Sequence, residues 1–256
     1  MSAARFASLA PGLAFIALVL AFLEVAVDRN WVKAVLIPAP SDTAVVLWNI
    51  IWSGAFADPV GDTLGLLFAG YGIACVLGVV LGVLMGYFRG VYNLLEPLAE
   101  VLRTIPKPVL LPPLMLFLGL GFPMKIFIVA LAGVFPVLIN TMQAVRSIDP
   151  VLIDTARTFG RGTGAILWRV MLPASAPLIL AGMRVSLGFA LVLVILSEML
   201  AGSGGLGQLL SDMQKTFLVR ETFAWLTIIA VVGFALTAMF DWIERRIAFW
   251  SRSAVE

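Results

Sequence analysis

The 256-residue chain is 61% hydrophobic and 12% charged, with a mean hydropathy of +1.06. Soluble globular domains are roughly half apolar and about a quarter charged, so this composition excludes that class and indicates an integral membrane protein. The net charge of +2 is small and the basic residues are scattered, which argues against a nucleic-acid partner.

Six stretches of the chain are apolar and near the roughly 20 residues that cross about 30 Å of hydrocarbon. They lie near residues 6–27, 63–88, 92–118, 124–142, 175–200 and 223–243. We therefore expect an all-α membrane protein with about six transmembrane helices. Residues 1–62 would hold the first span and an interfacial helix on the periplasmic side. Residues 63–256 would form the transmembrane core, with a polar connecting segment at 149–174.

The basic residues of the connections set the predicted orientation, because cytoplasmic loops carry an excess of Lys and Arg. Those on one side are Arg5, Arg89, Arg146, Arg157, Arg161, Arg169, Arg245, Arg246 and Arg252. Those on the other side are Arg29, Lys33, Lys125, Lys215 and Arg220. The imbalance predicts that both termini and the connection at 143–174 face the cytoplasm.

After the first span, residues 42–52 read DTAVVLWNIIW. Val45, Trp48 and Trp52 recur at helical spacing on one face of this stretch. Tryptophan suits the boundary between lipid and water, so we expect a helix that lies flat in the outer interface.

The second span carries a small residue at every fourth position, at Gly70, Ala74, Gly78, Gly82 and Gly86. Such a face lets a neighbouring helix approach closely, and van der Waals contact then stabilises the pair in lipid. The alternative is a helix that bends during function, because glycine weakens a helix by up to about 1 kcal/mol relative to alanine. The regular spacing favours close packing.

The third span is interrupted by Pro106, Pro108, Pro112 and Pro113. Irregular backbone at membrane depth is tolerated only inside protein or beside a water-filled cavity, so this span should line the interior. Arg103 and Lys107 in the same stretch could attract an anionic solute along a pathway. Alternatively, Glu96 or Glu100 pairs with Arg103 at helical spacing, and we favour this structural reading.

The polar segment that follows the fourth span contains signals for a short helix. Asp149 and Pro150 suit the N-cap and the first helical position. Gly160 and Gly162 would end this helix. The segment therefore predicts a water-exposed helix followed by a sharp turn.

A second short helix is predicted after that turn. Thr163 can cap it, it would end near Val170, and Pro173 with Pro177 would mark the return to the fifth span. The apolar residues of the two helices are Ile153, Phe159, Ile166, Leu167 and Trp168. Because the segment is otherwise polar, these side chains predict a surface that fits a groove on a partner.

At these residues the chain resembles the permease subunits of bacterial ABC importers. Their signature reads EAA, three residues, Gly, nine residues, Ile, one residue and Leu-Pro. The matching positions here are Asp154, Thr155 and Ala156 for EAA, then Gly160, Val170, Leu172 and Pro173. Asp154 has a shorter reach than glutamate, which bears on any contact that the family's carboxylate makes. Further segments, among them IPAPSD at 37–42 and SEML to GGLG at 197–207, make the nitrate, sulfonate and taurine group the nearest resemblance.

The resemblance implies a type I ABC importer permease fold in a bacterial inner membrane, with several spans and a coupling helix in the cytoplasmic loop. The seven signature residues and Arg157 would then form the contact with a separate ABC ATPase, present in two copies. ATP and Mg would bind to that partner, and this chain would carry no cofactor. A second permease copy, as a homodimer, and a periplasmic or lipid-anchored solute-binding protein would complete the assembly.

Two residues of the fifth span have open roles. Arg184 lies about 16 Å along the helix from Pro173, deep enough to face the interior. It would either contact solute or brace the third span through Glu96 or Glu100, and the resemblance favours the brace. Glu198 lies near the outer end, where it would help to close an external gate or serve as an interfacial carboxylate.

No GxxxxGK[ST] phosphate-binding loop occurs in the sequence, so ATP hydrolysis is expected on a separate subunit and this chain is not expected to be an enzyme. A membrane-embedded enzyme is a poor alternative, because the chain has no histidine and no carboxylate cluster within a span. A carrier driven by an ion gradient remains the alternative. Arg103, Lys107 and Arg184 favour a small anion such as a sulfonate, taurine or nitrate as the solute.

Overall fold

The computed structural model describes residues 3–202 and 204–247, which form helices and turns without a strand. The helices are α1 (Ala3–Asp28), α2 (Pro40–Ser53), α3 (Ala57–Tyr87), α4 (Arg89–Thr104), α5 (Leu111–Leu118), α6 (Phe122–Arg146), α7 (Pro150–Thr158), α8 (Thr163–Ile166), α9 (Leu172–Ala201), α10 (Gly205–Lys215) and α11 (Val219–Ile247). The chain forms two compact units, one of residues 3–59 and 209–230, the other of 60–202, 204–208 and 231–247. The predicted all-α architecture is confirmed.

Four helices of the described chain are individually long and apolar enough to cross a membrane. They are α3, α6, α11 and the continuous run Thr163–Ala201. A bent pair, α4 with residues Lys107–Leu118, would make a fifth span. The 26-residue α1 coincides with the first predicted span. All six predicted stretches are therefore helical, but they are not six uninterrupted spans.

The third predicted span is wrong as a single helix. The axes of Arg89–Thr104 and Lys107–Leu118 meet at 87°. Ile105 and Pro106, which join them, have extended backbones with ψ of 123° and 114°. A residue that precedes proline is pushed out of the helical region, so Ile105, which precedes Pro106, ends α4. Pro112 stands in the first turn of α5, where its missing N–H has no helical partner to lose.

The small residues of α3 form a close seam with α6, as their spacing predicts. A Cβ placed on Gly70 or Gly78 would lie 2.6 Å from a side-chain atom of Val129 or Val137, respectively. The pairs Gly82 with Thr141 and Gly86 with Val145 continue the series at 2.6 Å. The contacts advance in the same direction by four residues on both helices, so α3 and α6 are parallel neighbours whose backbones require glycine to approach.

α6 is the central helix of the larger unit, because it packs against both α3 and α9. α9 runs antiparallel to α6. The Ser186 hydroxyl donates to the Gly133 carbonyl at 2.7 Å, and a Cβ on Gly182 would lie 2.6 Å from Asn140 Cβ. A Cβ on Gly133 would meet Ala74 Cβ at 2.9 Å on one side and Ser186 Oγ at 2.7 Å on the other. The buried core draws apolar side chains from α3, α5, α6, α9 and the second half of α11.

In the smaller unit, α2 confirms the predicted helix and exposes its aromatic face. The Trp48 and Trp52 rings stack with centroids 6.0 Å apart, and both side chains are exposed. The start of α2 is held by polar contacts, since the Ser41 backbone N–H donates to Glu24 at 3.0 Å and Asp42 pairs with Arg220 at 2.9 Å. Its exposed tryptophans are therefore available to lipid or to a partner.

Candidate coupling segment and solute pathway

The polar segment begins with the helix start that the sequence predicts. The Asp149 carboxylate accepts a hydrogen bond from the Val151 backbone N–H at 2.9 Å, and Pro150 is the first residue of α7. The cap satisfies one of the N–H groups that a helix leaves without an internal partner. α7 is thus fixed at its start by residues adjacent in sequence.

The end of α7 explains why the signature carries a glycine. The Arg161 N–H bonds to the Ala156 carbonyl at 3.1 Å, and the Gly160 N–H bonds to the Arg157 carbonyl at 2.8 Å. Gly160 has φ of +69°, the left-handed conformation that closes such a pair of bonds. A residue with a Cβ is strained there, so the glycine fixes the exit angle of α7.

The second helix begins at Thr163 as predicted, but its predicted end near Val170 is wrong, because the helix continues to Ala201. Gly162, rather than Thr163, is the extended residue before α8, and no side-chain cap forms there. Residues Leu167–Met171 form a π turn that leads directly into α9. Pro173 lacks the N–H of a normal helical bond and its ring crowds the preceding turn, so the wider π turn accommodates it without ending the helix.

The signature residues lie along α7 and the first part of this long helix. Asp154 pairs with Arg157 at 3.2 Å, and both side chains are more than half exposed, at 69% and 58%. The Thr155 hydroxyl donates to the Val151 carbonyl at 2.7 Å, within α7. The remaining positions divide by burial, with Ala156, Val170 and Leu172 half-buried and Gly160 and Pro173 exposed.

The apolar side chains of the segment have two different environments. Phe159 and Trp168 are 78% and 75% exposed. Ile166 is buried and packs with Val145 and Met171 in a small cluster, which we call the basal cluster. Half-buried residues packed against the basal cluster are Val83, Tyr87, Ile148, Ile153, Ala156 and Leu167. The prediction that all five apolar residues face a partner is therefore wrong for Ile153, Ile166 and Leu167, which hold the segment to the larger unit.

Arg103 and Lys107 are both engaged by their own part of the chain. Arg103 Nε donates to a Glu100 carboxylate oxygen at 2.7 Å, which confirms the predicted pairing with Glu100. Lys107 Nζ donates to the backbone carbonyls of Leu102 at 2.5 Å and Ile105 at 2.9 Å. A cation at a helix C-terminus satisfies carbonyls that α4 leaves without partners. These side chains hold the bend between α4 and α5.

The bend opens onto a cavity of about 390 Å³. Its walls are mostly apolar, and its lining residues are Arg103, Thr104, Ile105, Pro106, Lys107, Pro108, Ala132, Phe135, Pro136, Phe189, Val192 and Leu193. Lys107 Nζ also lies 4.7 Å from the centroid of the Phe135 ring. The third predicted span therefore lines this cavity and brings both predicted cations to its wall.

Arg184 braces helices, but its partners differ from the predicted ones. Its guanidinium pairs with Asp241 at 2.6 Å and with Glu244, both on α11. The expected link to Glu96 or Glu100 is wrong, because Arg184 faces the last helix. Asp241 and Glu244 are one turn apart, which is the spacing that lets one guanidinium contact two carboxylates. The spacing of Asp241 and Glu244 can be read from the sequence, but the sequence does not show which helix these carboxylates contact.

Glu198 is buried, with 1% of its surface exposed, so it is not an interfacial carboxylate. Its oxygens accept the Thr63 hydroxyl at 3.0 Å and the Gly207 backbone N–H at 2.9 Å. The Thr63 oxygen accepts the Leu206 N–H at 2.9 Å, so the first turn of α10 rests on both side chains. A Cβ on Gly205 would collide with the carboxylate. This Glu198 cluster joins α3, α9 and α10.

A cavity of about 70 Å³ adjoins the Glu198 cluster and is lined by Asp62, Leu66, Phe122, Lys125, Glu198 and Gly204. Lys125 lies in α6 and is 2% exposed, so the prediction that it belongs to a connection between spans is wrong. The sequence does not predict that Thr63 bonds to Glu198 or that Lys125 lines the same cavity, because contacts between distant helices leave no periodic signal in the sequence. In the described part of the chain, no group of three or more His, Cys, Asp or Glu side chains is placed to hold a metal.

One family model matches a range that contains both the polar segment at 149–174 and the residues that line the 390 Å³ cavity. A family model described as "Binding-protein-dependent transport system inner membrane component" matches residues 77–249. The chain belongs to this family. The matched range includes the whole of α7, the run Thr163–Ala201 and the cavity wall, so the permease identity predicted from the signature spacing is confirmed on the residues that suggested it.

Two relatives align with this permease over more than nine-tenths of its length. The putative aliphatic sulfonates transport permease protein SsuC of Bacillus subtilis is 29% identical over 242 residues, 94% of this chain and 88% of that protein. The riboflavin transport system permease protein RibX of Chloroflexus aurantiacus is 28% identical over 236 residues, 92% and 88% of the two chains. Because these similar matches carry names with unlike solutes, overall similarity does not select the solute.

A solved structure supports the fold. The structure superimposes on a chain of the MetNI methionine ABC transporter, in an inward-facing conformation, with a TM-score of 0.66. The superposition covers 78% of this permease and 98% of that chain at 20% sequence identity, which shows the fold alone. The type I ABC importer permease fold is thereby confirmed.

Proposed function

We propose that this permease is the transmembrane subunit of an ATP-driven importer, and that residues 149–174 dock into a separate ATPase. Two ATPase copies would bind ATP and Mg²⁺, while the permease brings no cofactor of its own. A second copy of this chain would complete the pathway, and a periplasmic or lipid-anchored protein would deliver the solute. The assembly would lie in a bacterial inner membrane with the segment and both termini in the cytoplasm, as the Lys and Arg imbalance favours.

The observation that carries this proposal is the division of apolar side chains in the segment. Phe159 and Trp168 are exposed, while Ile166 packs into the basal cluster that holds the segment. Arg157 is two residues before Phe159 and Arg169 directly follows Trp168, and both arginines are exposed, so each exposed ring has a cation near it in the sequence. Aromatic anchors within a polar rim are typical of a protein interface. A partner that moves the segment would also pull on the cluster beneath it.

The mechanism follows from this attachment. Closure of an ATPase pair would draw two docked segments together, and the helices would respond by rigid-body movement that opens the pathway alternately to each side. The π turn before Pro173 makes the segment continuous with α9, so movement of the segment reaches the cavity wall at Phe189 without a loop between them.

We propose a small organic anion, such as an aliphatic sulfonate or taurine, as the solute, with nitrate less well suited. The cavity wall is mostly apolar and includes Arg103 and Lys107. A mostly apolar wall that includes two cations fits a molecule that has a carbon chain and an acidic group. The name of the SsuC relative agrees with this chemistry. Competition for uptake of labelled taurine by alkanesulfonates and nitrate would rank these solutes.

The docking proposal is tested by replacing its two exposed rings. We expect Phe159→Ser and Trp168→Ser to leave the permease folded and inserted, because both side chains are exposed. Each should weaken co-purification of the ATPase from native membranes and lower vanadate-sensitive uptake in proteoliposomes, by roughly 10-fold or more if the ring is an anchor of the interface. Trp48→Ser is the matched control, since Trp48 is another exposed tryptophan, 64% accessible on α2.

Two harsher changes test the segment as a whole. Gly160→Pro and deletion of residues 154–164 should both give an inserted permease that neither stimulates the ATPase nor transports. Survival of transport and of ATPase stimulation in either variant would refute the coupling role. Uptake by the purified permease alone, driven by an ion gradient and insensitive to vanadate, would instead establish the secondary carrier.

A further inference from the structure

Arg146 connects three helices beside the coupling segment. It is the last residue of α6, and its guanidinium donates a hydrogen bond to the Met85 carbonyl at 3.2 Å. The same guanidinium lies 3.7 Å from the centroid of the Tyr92 ring. Met85 belongs to the last turn of α3 and Tyr92 to the first turn of α4. One side chain therefore ties the end of α6 to its two neighbours.

The chemistry of these contacts requires arginine. Met85 lies within the last turn of α3, whose terminal carbonyls lack helical partners and favour a cation. The Tyr92 ring attracts a cation placed over its face. A planar guanidinium can stack on a ring while its N–H groups point outward to an acceptor, whereas the compact ammonium of lysine cannot hold both positions at once.

Arg146 is also the last helical residue before the coupling segment. Only Ser147, Ile148 and Asp149 separate it from α7. Val145, its neighbour, is buried in the basal cluster, against which Ile153 of α7 packs. A displacement of α7 therefore acts on the end of α6 through direct packing, next to the guanidinium.

α4 extends from this contact to the solute cavity. Its residues Arg103 and Thr104 line the cavity, while Tyr92 stands in its first turn. The helical rise puts Arg103 about 16 Å along the axis from Tyr92. α4 is continuous between these two residues, with Pro97 inside it, so we expect a push or a tilt at Tyr92 to reach the cavity wall at the bend.

We propose that Arg146 is a positioning residue that transmits movement of the coupling segment to α4 and through it to the solute cavity. The inference rests on the proposed function, because it assumes that an ATPase moves the segment. Arg146 touches neither solute nor ATP in this role. Its loss should leave ATPase docking in place and separate hydrolysis from transport.

The test is solute imported per ATP hydrolysed, measured in proteoliposomes that hold the complete complex, with taurine and a short alkanesulfonate as probes. Arg146→Gln and Tyr92→Leu should each lower this ratio by roughly 2- to 30-fold, the range found for residues that couple two sites. Tyr92→Phe keeps the ring and should keep the wild-type ratio. The double variant should be no worse than the poorer single variant, because both changes remove the same contact.

Arg89→Gln is the matched control, since Arg89 is an exposed cation at the start of α4. A ratio for Arg146→Gln equal to that of Arg89→Gln would overturn the inference. So would a loss fully explained by a lower melting temperature or by incomplete assembly. Should Arg146→Gln fail to fold, Tyr92→Leu against Tyr92→Phe decides the same point. Failure of the wild-type complex to import with ATP would reject the proposed function instead, so the two failures are distinguishable.

Discussion

Two carboxylates in the larger unit have opposite surroundings. Asp154 on α7 is 69% exposed and pairs with Arg157 one turn away on the same helix. Glu198 near the end of α9 is 1% exposed and accepts hydrogen bonds from Thr63 on α3 and Gly207 on α10. The first contact is local and in water, while the second joins three helices inside the protein.

The contrast shows that one site exposes side chains to the surroundings, whereas the other holds helices together. In the proposed coupling segment, short-range caps fix the backbone, and the Phe159 and Trp168 side chains are exposed. In the Glu198 cluster, a buried charge is stabilised by donors from distant elements, and a buried acceptor group with satisfied donors fixes one arrangement of those elements. Changes at the first site should therefore alter coupling, and changes at the second should alter folding.

The largest expected effect is at Glu198. Glu198→Leu leaves the Gly207 N–H and the Thr63 hydroxyl without their acceptor, and two such buried groups should cost about 2–5 kcal/mol of unfolding free energy. The expected readout is a clear drop in the thermal unfolding midpoint of the detergent-solubilised permease. Glu198→Gln keeps an acceptor of the same size and should lose less. An unfolding midpoint for the leucine variant equal to wild type would break the comparison.

An intermediate effect is expected at Gly160. Its φ is +69°, and no atom lies within 4 Å of a Cβ built there, so the cost of Gly160→Ala is backbone strain alone. That strain is about 1–2 kcal/mol and should appear as weaker ATPase binding, because the end of α7 is redirected. Gly160→Asn should be tolerated better, since asparagine adopts the left-handed conformation more readily. Equal ATPase affinity for the alanine, asparagine and wild-type chains would contradict the role of this turn.

The smallest stability effect is expected at Asp154. Asp154→Asn removes one exposed pair with Arg157, and such pairs contribute about 0–1 kcal/mol. The unfolding midpoint should therefore stay within about a degree or two of wild type, while ATP-dependent uptake reports any contact with the ATPase. A stability loss as large as that of Glu198→Gln would show that the two carboxylates are not as different as their surroundings indicate.

Some of the structure could be predicted because its cause is local or periodic. The Asp149 cap, the glycine turn at 160 and the signature spacing depend on residues within a few positions of each other. The seam of Gly70, Gly78 and their successors depends on a four-residue period, which fixes one face of α3. Local propensity and periodicity are properties of the chain itself, so no partner helix had to be known.

Other features depended on a local backbone adjustment or on which helices meet. Pro173 looked like a boundary, yet the π turn before it lets the helix continue. Arg184 was expected to face the third span, but it pairs with Asp241 on α11. Opposite charges several helices apart in sequence offer many pairings of equal merit, and only packing selects among them.

By itself, the sequence determined an all-α membrane protein, its family, the capped helix of the coupling segment and the glycine face of α3. These follow from composition, short-range hydrogen bonding and helical period. Only the tertiary structure decided that Glu198 is buried under the first turn of α10 and that Arg146 joins three helices. Such contacts join residues far apart in the chain, and their geometry exists only once the helices are packed.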